Sequence, residues 1–573
     1  MINMVNYQIG KVIGVYGGKI EISLLDLIEN DDLCIGVSED MCIDITTEKG
    51  PYPLTIGQPG TFVLISLPNG NLLGMISDIK MREKSILQRD IKEAEEEESY
   101  LIENPTRVLS AVPIGTIDPS GKFERGSDIL PTVNAKVFAV TMSVLEKIYQ
   151  SYAKGDFTLG YLSLIPDQKA NINLDYFLGR HAAIIGQTGT GKSWTVASIL
   201  QKLEKFPKST ILLLDLHGEY KNSFKEEYAD YISAKDLEFP YWLMNFQELL
   251  GLMIDQSEFS APNQVAVFRT LLQKAKETHE ENIALSIPKI TLDTPVYFDF
   301  KSIIDEFKQF DTQMVPGAKV GKFKQGPYFG QFTRLITRIE SRLNDKRYDL
   351  IFKPAKYTTS ASMEDLFKKL LGENDVKSKK VIVIDISPIP MEVRNSVISL
   401  LLRCIFDFCY WYKRLNEKTY PISIFCDEAH SYLNETDVSF AAARKSAERI
   451  AKEGRKYGIS LTVVTQRPRE VSATILSQCN SFMCLRITNP DDQSYVKRLL
   501  PENISGIISM FSTLRRGECI LLGDSVIMPS RIKLDIPDPT PSSQDTSFYE
   551  EWNKDHTPID IKAVLDSWRK QED

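Results

Sequence analysis

The sequence is short of the features that mark several common protein classes. Its eight cysteines form no CxxC pair and its five histidines are scattered, which disfavours a structural zinc site. The longest apolar stretch, SVISLLLRCIFDFCYWY, is broken by Arg403 and Asp407, so it predicts a buried helix and not a membrane span. No signal peptide opens the chain. We therefore expect a cytoplasmic protein with buried free thiols and no membrane anchor.

An excess of positive charge is missing as well. The 573 residues carry a formal net charge of −9, so no chain-wide field attracts nucleic acid, although a local basic surface would be enough to bind it. The hydrophobic fraction of 43% and the charged fraction of 25% are typical of globular proteins. The length exceeds that of one ordinary domain, and several structural units are expected.

Residues 1–150 predict a small β-barrel. Short strands flank Gly17-Gly18, and the same arrangement recurs around Asn69-Gly70, both of which are tight hairpin signals. Several short strands joined by such turns suggest a small barrel.

From residue 170 onward the pattern of apolar and polar residues predicts an α/β fold. We assign residues 170–222 and 380–535 to the core, 223–379 to a mostly helical insertion, and 536–573 to a linker and a tail helix. Five apolar runs resemble buried parallel strands separated by helical patterns. These runs are AAIIG (182–186), TILLLD (210–215), VIVIDIS (381–387), ISIFCDE (422–428) and LTVVTQ (461–466).

A phosphate-binding loop follows the first of these strands. The segment GQTGTGKS fits G-x-x-x-x-G-K-[ST] and precedes a helical pattern, the context that this motif requires. Its backbone N–H groups would surround the phosphates of ATP, Lys192 would reach the β- and γ-phosphates, and the Ser193 hydroxyl would bind Mg²⁺. The predicted nucleotide-binding residues are Gly186, Gln187, Thr188, Gly189, Thr190, Gly191, Lys192, Ser193 and the adjoining Trp194.

The strand ISIFCDE supplies the acidic half of the predicted site. It ends in Asp427, which we expect near the metal, and Glu428, which we expect to act as the general base toward water. Asp385 ends a similar strand but has no second carboxylate after it, so we interpret that strand as structural. Glu219, at the end of another core strand, is the alternative base.

The tetrapeptide Asp427-Glu428-Ala429-His430 raises the alternative of a DEAH-box helicase. Such a helicase carries Ser-Ala-Thr at the end of the next strand, but here that strand ends at Gln466 and Ser-Ala-Thr begins six residues later. The late Gln-Arg-x-Gly-Arg motif and a second ATPase core are both missing. The tetrapeptide is therefore interpreted as the end of a Walker B strand in a different ATPase.

Five segments, in order along the chain, resemble the HerA family of the HerA/FtsK group. They are LGRHAAIIGQTGTGKS, DLHGEY, DEAHSYL, IAKEGRKYGISLTVVTQRP and LSQCNSFMCLRITNPDDQ. The resemblance implies an N-terminal HAS-barrel, a RecA-like core and a C-terminal brace. It also implies a homohexameric ring that binds ATP and Mg²⁺ between subunits.

The resemblance gives roles to three further residues. Arg455 matches an arginine finger supplied to the neighbouring subunit, and its alternative role is a surface ion pair. Arg180, twelve residues before Lys192, matches an arginine that contacts nucleotide. Gln466 suits a sensor of the γ-phosphate.

A basic segment between Lys319 and Lys356 is the candidate DNA contact. Arg334, Arg338 and Arg342 recur every four residues and would share one helix face. The alternative is an ordinary solvated surface.

The predicted function is a hexameric ATPase that translocates along double-stranded DNA with a separate effector, a nuclease or a sirtuin-like enzyme. The sequence does not choose between DNA-end processing and antiviral defence. One alternative is a ring scaffold that activates its partner without moving on DNA. Another is a protein-translocating or conjugation-type ATPase of the same superfamily.

Overall fold

The computed structural model describes most of the chain. The described residues are 7–26, 28–30, 33–38, 40–47, 50–82, 106–152, 157–163, 168–233, 238–255, 257–317, 321–373, 379–500, 502–542, 547–554 and 559–570.

Six strands of the N-terminal region close into a barrel. Each strand pairs antiparallel with the next in the order β1-β2-β9-β8-β7-β11, and β11 pairs again with β1. Gly17 joins β1 to β2 in the left-handed conformation, with φ of +58°, which favours glycine. The predicted barrel is confirmed. Its strands are β1 Gln8–Tyr16, β2 Lys19–Leu24, β7 Phe62–Leu67, β8 Gly70–Arg82, β9 Thr106–Ile117 and β11 Lys136–Ala139.

Short strands accompany the barrel along its edge. β4 pairs with β1, β3 with β4, and β10 with β9, while β5 and β6 form a separate hairpin. Their bounds are β3 Ile28–Asn30, β4 Leu33–Ile35, β5 Cys42–Thr47, β6 Gly50–Thr55 and β10 Phe123–Arg125.

A mixed sheet of eleven strands forms the second unit, in the order β13-β12-β24-β23-β22-β14-β21-β20-β15-β19-β16. The strands from β22 to β16 run parallel, and the remaining pairs are antiparallel. The predicted α/β class is confirmed. The strands are β12 Thr158–Leu162, β13 Lys169–Asn171, β14 Ala182–Ile185, β15 Ile211–Asp215, β16 Ala229–Ile232, β19 Val381–Asp385, β20 Ile422–Cys426, β21 Ile459–Thr465, β22 Ser481–Cys484, β23 Glu518–Gly523 and β24 Ser530–Leu534.

This sheet includes strands outside the ranges assigned to the core from sequence. β12 and part of β13 precede residue 170, and β16 lies within the predicted insertion. The run ADYI of β16 is only four residues long and is half-buried, so its sequence carries little strand signal.

Helices cover the sheet and make up most of residues 241–371. The insertion also holds a small hairpin of β17 Met314–Pro316 and β18 Phe323–Gln325. The helices are α1 Met142–Tyr152, α2 Leu174–Gly179, α3 Lys192–Lys202, α4 Phe246–Met253, α5 Ala261–Thr278, α6 Glu280–Ala284, α7 Phe300–Thr312, α8 Thr333–Asn344, α9 Asp349–Phe352, α10 Met363–Leu371, α11 Met391–Asn416, α12 Ala441–Glu453, α13 Ala473–Ser477, α14 Pro490–Leu499, α15 Phe548–Trp552 and α16 Ile561–Lys570.

The barrel interior and the core sheet have separate hydrophobic clusters. Ile22, Ile65 and Leu109 pack inside the barrel. The opposite side of the barrel wall, including Leu73 and Ile117, packs into the larger cluster that surrounds the core sheet. The two units therefore share apolar contacts. Within the described part of the chain, no helix is both long and apolar enough to cross a bilayer.

Candidate functional site

The phosphate-binding loop lies at the carboxyl edge of the parallel strands. β14 is buried along its whole length, and α3 begins at Lys192 directly after the loop. Gly189 and Gly191 have φ of +75° and +100°, backbone conformations that residues other than glycine rarely adopt. These turns leave the loop backbone next to the amino terminus of α3, which is a favourable place for an anion.

The Walker B residues lie at the same edge. β20 is fully buried and ends before Asp427, whose side chain is also buried. Burial raises the pKa of Asp427 well above its usual range, and the nearby negative charge of Glu428 raises that pKa further. A divalent cation beside this carboxylate would offset the cost of its charge.

Glu428 connects the two motifs. Its Oε1 atom is 3.5 Å from the Lys192 Nζ atom, so the predicted base and the P-loop lysine are neighbours. Its Oε2 atom is 3.2 Å from the His430 Nδ1 atom but is buried without a hydrogen bond from the described residues. The His430 Nδ1 atom also lies 3.3 Å from the Thr465 hydroxyl, at the end of β21. This carboxylate oxygen of Glu428 therefore makes no hydrogen bond within the described chain.

Gln466 is in contact with the phosphate-binding loop. The hydroxyl of Thr188 donates a hydrogen bond to the Gln466 Oε1 atom. β21 pairs directly with β14, which explains why the residue after β21 meets the loop after β14. A change in the conformation of the phosphate-binding loop would therefore alter the contact with Gln466 at the end of β21.

Asp215 organises the loop that carries the alternative base. Its carboxylate accepts N–H bonds from His217, Gly218, Glu219 and Tyr220, at distances between 2.8 and 3.3 Å. Burial raises the pKa of Asp215 to about 6. The Glu219 Oε2 atom is buried without a hydrogen-bond partner in the described chain. Sequence reasoning missed this organising role, although the loop DLHGEY was visible.

The residues at this edge fit Mg²⁺ only together with nucleotide. Among the described residues, no group of three or more His, Cys, Asp or Glu side chains could hold a metal ion. Mg²⁺ in nucleotide sites typically uses one or two carboxylates, a hydroxyl, waters and phosphate oxygens. Asp427 and Ser193 supply a carboxylate and a hydroxyl, so the donor set fits that arrangement.

A pocket of about 290 Å³ opens beside the loop. Gly191, Trp194, Arg516 and Ile536 are among the residues that line it. The Arg516 guanidinium lies 5.3 Å from the centre of the Trp194 ring. An aromatic and apolar wall next to a phosphate loop suits the nucleoside part of a nucleotide.

The two predicted arginines lie at the opposite, amino edge of the sheet. Arg180 precedes β14, forms a 2.7 Å ion pair with Asp524, and lies 4.2 Å from the centre of the Tyr176 ring. Arg455 is exposed in the turn before β21 and lines a cavity of about 310 Å³. β21 has seven residues, so the two edges are separated by roughly 20 Å. Neither arginine is brought to the phosphate loop of its own chain.

The three arginines proposed for DNA have different environments. Arg334 is exposed, whereas Arg338 forms ion pairs with Glu258 and with Asp255, the latter at 3.8 Å. Burial lowers the pKa of Arg342, whose guanidinium lies 5.8 Å from the centre of the Tyr348 ring. The face predicted from their four-residue spacing is therefore not a uniformly free basic surface.

Comparisons with known proteins agree with this geometry. The family model described as the central domain of helicase HerA matches residues 157–405. This part of the chain therefore resembles the central domain of HerA helicases. With its P-loop and the end of its Walker B strand at the same edge of the sheet, the protein is a P-loop ATPase.

Curated relatives of this family extend over most of the chain. The DNA double-strand break repair helicase HerA of Saccharolobus solfataricus is 25% identical, over 86% of this chain and 91% of that protein. The HerA helicase of Pyrococcus furiosus is also 25% identical, over 85% of this chain and 87% of that protein. Among solved structures, VirB4 of Thermoanaerobacter pseudethanolicus matches 70% of this chain and 99% of its own, with a TM-score of 0.43 and 15% identity.

Proposed function

We propose that this P-loop ATPase is a member of the HerA family and assembles as a homohexameric ring that moves along double-stranded DNA, working with a separate effector protein. The argument for a ring is the position of Arg180 and Arg455, which lie roughly 20 Å from the phosphate loop of their own chain. In a ring, the amino edge of one subunit can face the carboxyl edge of the next. The arginines would then complete the neighbour's site.

The residues of one carboxyl edge perform the first part of the proposed mechanism. Backbone N–H groups of the loop bind the phosphates, Lys192 neutralises their charge, and the pocket beside Trp194 holds the nucleoside. Ser193 and Asp427 would hold Mg²⁺, which neutralises charge on the phosphate oxygens when bound. Glu428 accepts a proton from the attacking water, with Glu219 as the alternative acceptor.

The neighbouring subunit performs the second part. Arg455 would stabilise the charge that develops during phosphoryl transfer, a role worth roughly 10³ to 10⁵ in rate in other enzymes. Within the chain that binds the nucleotide, Gln466 contacts Thr188 and would report the state of the phosphate site to β21. The names of the relatives, DNA double-strand break repair helicases, support DNA as the substrate that the ring moves on.

DNA-stimulated hydrolysis tests the proposed function most simply. The rate of phosphate release by the full chain should rise when duplex DNA is added, and light scattering should show a hexamer. Lys192→Ala chains supply the background rate. A hexamer whose rate of phosphate release does not change when DNA is added would favour an activating scaffold over a translocase. A monomer with full activity would contradict the ring.

A further inference from the structure

A hairpin in the insertion stands clear of the rest of the chain. β17, Met314–Pro316, pairs with β18, Phe323–Gln325, and no residue of either strand is buried. An isolated two-stranded hairpin is only marginally stable in water, so its position depends on how its base is attached.

The base of the hairpin is tightly held. The buried carboxylate of Asp311, in α7, accepts hydrogen bonds from the Phe332 N–H and the Thr333 hydroxyl, both at 2.6 Å. The rings of Tyr328 and Phe332 lie 5.5 Å apart, and Phe332 is fully buried. A fixed base therefore presents two exposed strands to the surroundings.

The two faces of the hairpin differ in chemistry. Side chains alternate along a strand, so Lys322 and Lys324 share one face and Phe323 lies on the other. The register places Val315 opposite Lys324 and Pro316 opposite Phe323. Both lysines are exposed, and Phe323 is 68% exposed on the opposite face.

The local charge has one sign. No Asp or Glu occurs between Asp311 and Glu340. Within the described part of the chain, no ion pair involves Lys322 or Lys324. In contrast, Arg338 of α8 is paired with Glu258. Both lysines of the hairpin therefore lack an ion pair in the described chain, whereas Arg338 on the arginine face of α8 has one.

We infer that the basic face of this hairpin, Lys322 and Lys324, binds the phosphate backbone of double-stranded DNA. The inference rests on the proposed function and names the surface through which the substrate is held. Lysine contacts to phosphate carry no base identity, so this binding is independent of DNA sequence and weakens steeply with salt. The neighbouring Phe323 points away from this face and makes no contribution to the phosphate contact.

Charge reversal on the hairpin tests the inference. The full chain with Lys322→Glu and Lys324→Glu is titrated with a fluorescent duplex across a salt series, and its anisotropy is recorded. The dependence of log affinity on log salt should become shallower by about 2 for each chain in contact, since each phosphate contact contributes about 0.9. The affinity should fall at every salt concentration.

Two control variants isolate the hairpin face. Lys289→Glu with Lys301→Glu introduces the same charge change on exposed lysines outside this basic segment and should leave the slope unchanged. Phe323→Ser alters the opposite face and should also leave it unchanged. Equal thermal unfolding midpoints of all variants show that the fold is retained.

The outcomes separate this inference from the proposed function. If the unsubstituted chain binds duplex and the hairpin variant binds with the same affinity and slope, the hairpin assignment is wrong while DNA translocation stands. If both pairs of lysines reduce binding equally, general charge and not the hairpin face holds DNA, which also overturns the assignment. If the unsubstituted chain does not bind duplex, both proposals fail.

Discussion

The two edges of the central sheet have opposite chemical characters. The carboxyl edge holds the phosphate loop and the carboxylates of Asp215, Asp427 and Glu428, packed so closely that burial raises the pKa values of the first two. The amino edge holds the guanidinium groups of Arg180 and Arg455. The carboxyl edge has the groups expected to bind a nucleotide and its metal, whereas at the amino edge Arg455 is exposed and Arg180 is paired with Asp524. Within a single chain, Arg180 and Arg455 thus lie too far from the phosphate loop to contact a nucleotide bound there.

This separation gives a physical reason for assembly. A rigid sheet with buried strands does not bend to bring its edges together. Contact between Arg180 or Arg455 and the phosphates would therefore need a second copy of the chain. Substitutions made at each edge separately test whether the two edges act together.

The largest effect is expected for Lys192→Ala at the carboxyl edge. Lys192 is buried beside Glu428 and would be the main positive charge on the phosphates from within the chain. The variant should lose both tight nucleotide binding, measured with a fluorescent ATP analogue, and detectable hydrolysis. Lys221→Ala, at an exposed lysine, is the control and should keep both. Normal hydrolysis by the Lys192 variant would remove the P-loop from the mechanism.

A large effect on hydrolysis alone is expected for Glu428→Gln. Nucleotide binding should remain, because the loop and Lys192 are intact, while hydrolysis should fall by roughly 10² to 10⁴ as expected for loss of a general base. Glu219→Gln is the matched variant, since both side chains have a buried oxygen without a hydrogen-bond partner in the described chain. If Glu219→Gln shows the loss and Glu428→Gln does not, the base is on the other strand.

The sequence signals of the carboxyl edge are local. The P-loop is one contiguous segment after a buried strand, and Asp427 and Glu428 directly follow another. Each motif depends on backbone conformations within a few residues, such as the left-handed glycines at Gly189 and Gly191. Parallel strands then bring these ends to one edge whatever the connections between them.

Other features depend on contacts between distant segments and could not be predicted. Arg338 has the spacing of a surface strip, but Glu258, eighty residues earlier in the chain, pairs with it. The four N–H bonds to Asp215 follow from a loop conformation that no residue pattern announces. Strands β12 and β16 join the sheet through pairing with β24 and β19, although their own sequences are short and weakly apolar.

The smallest effect expected concerns the amino edge and pH. Burial, together with a smaller effect of the positive charge of Arg455, lowers the pKa of His181 to about 4, and the Leu461 N–H donates to its Nδ1 atom. The unfolded chain binds this proton near pH 6.5 and the folded chain only near pH 4. Stability should therefore fall by about 3 kcal/mol as pH drops from 6.5 to 4.

Urea unfolding at several pH values measures this effect. His181→Gln removes the titrating group, so its free energy of unfolding should depend less on pH within that window than that of the unsubstituted chain. Equal pH dependence of the two proteins would show that His181 is not buried in neutral form beside Arg455.

Subunit mixing tests the central claim most directly. Arg455→Ala chains keep an intact phosphate loop, and Lys192→Ala chains keep an intact arginine, so each alone should be inactive. Two differently tagged chains first establish that subunits exchange. After exchange, phosphate release should partly return, because some intact loops then face an intact Arg455 of the neighbouring chain. If exchange is confirmed, no activity returns, and Arg455→Ala alone also fails to bind nucleotide, then Arg455 acts within its own chain and the separation of the two edges does not require assembly.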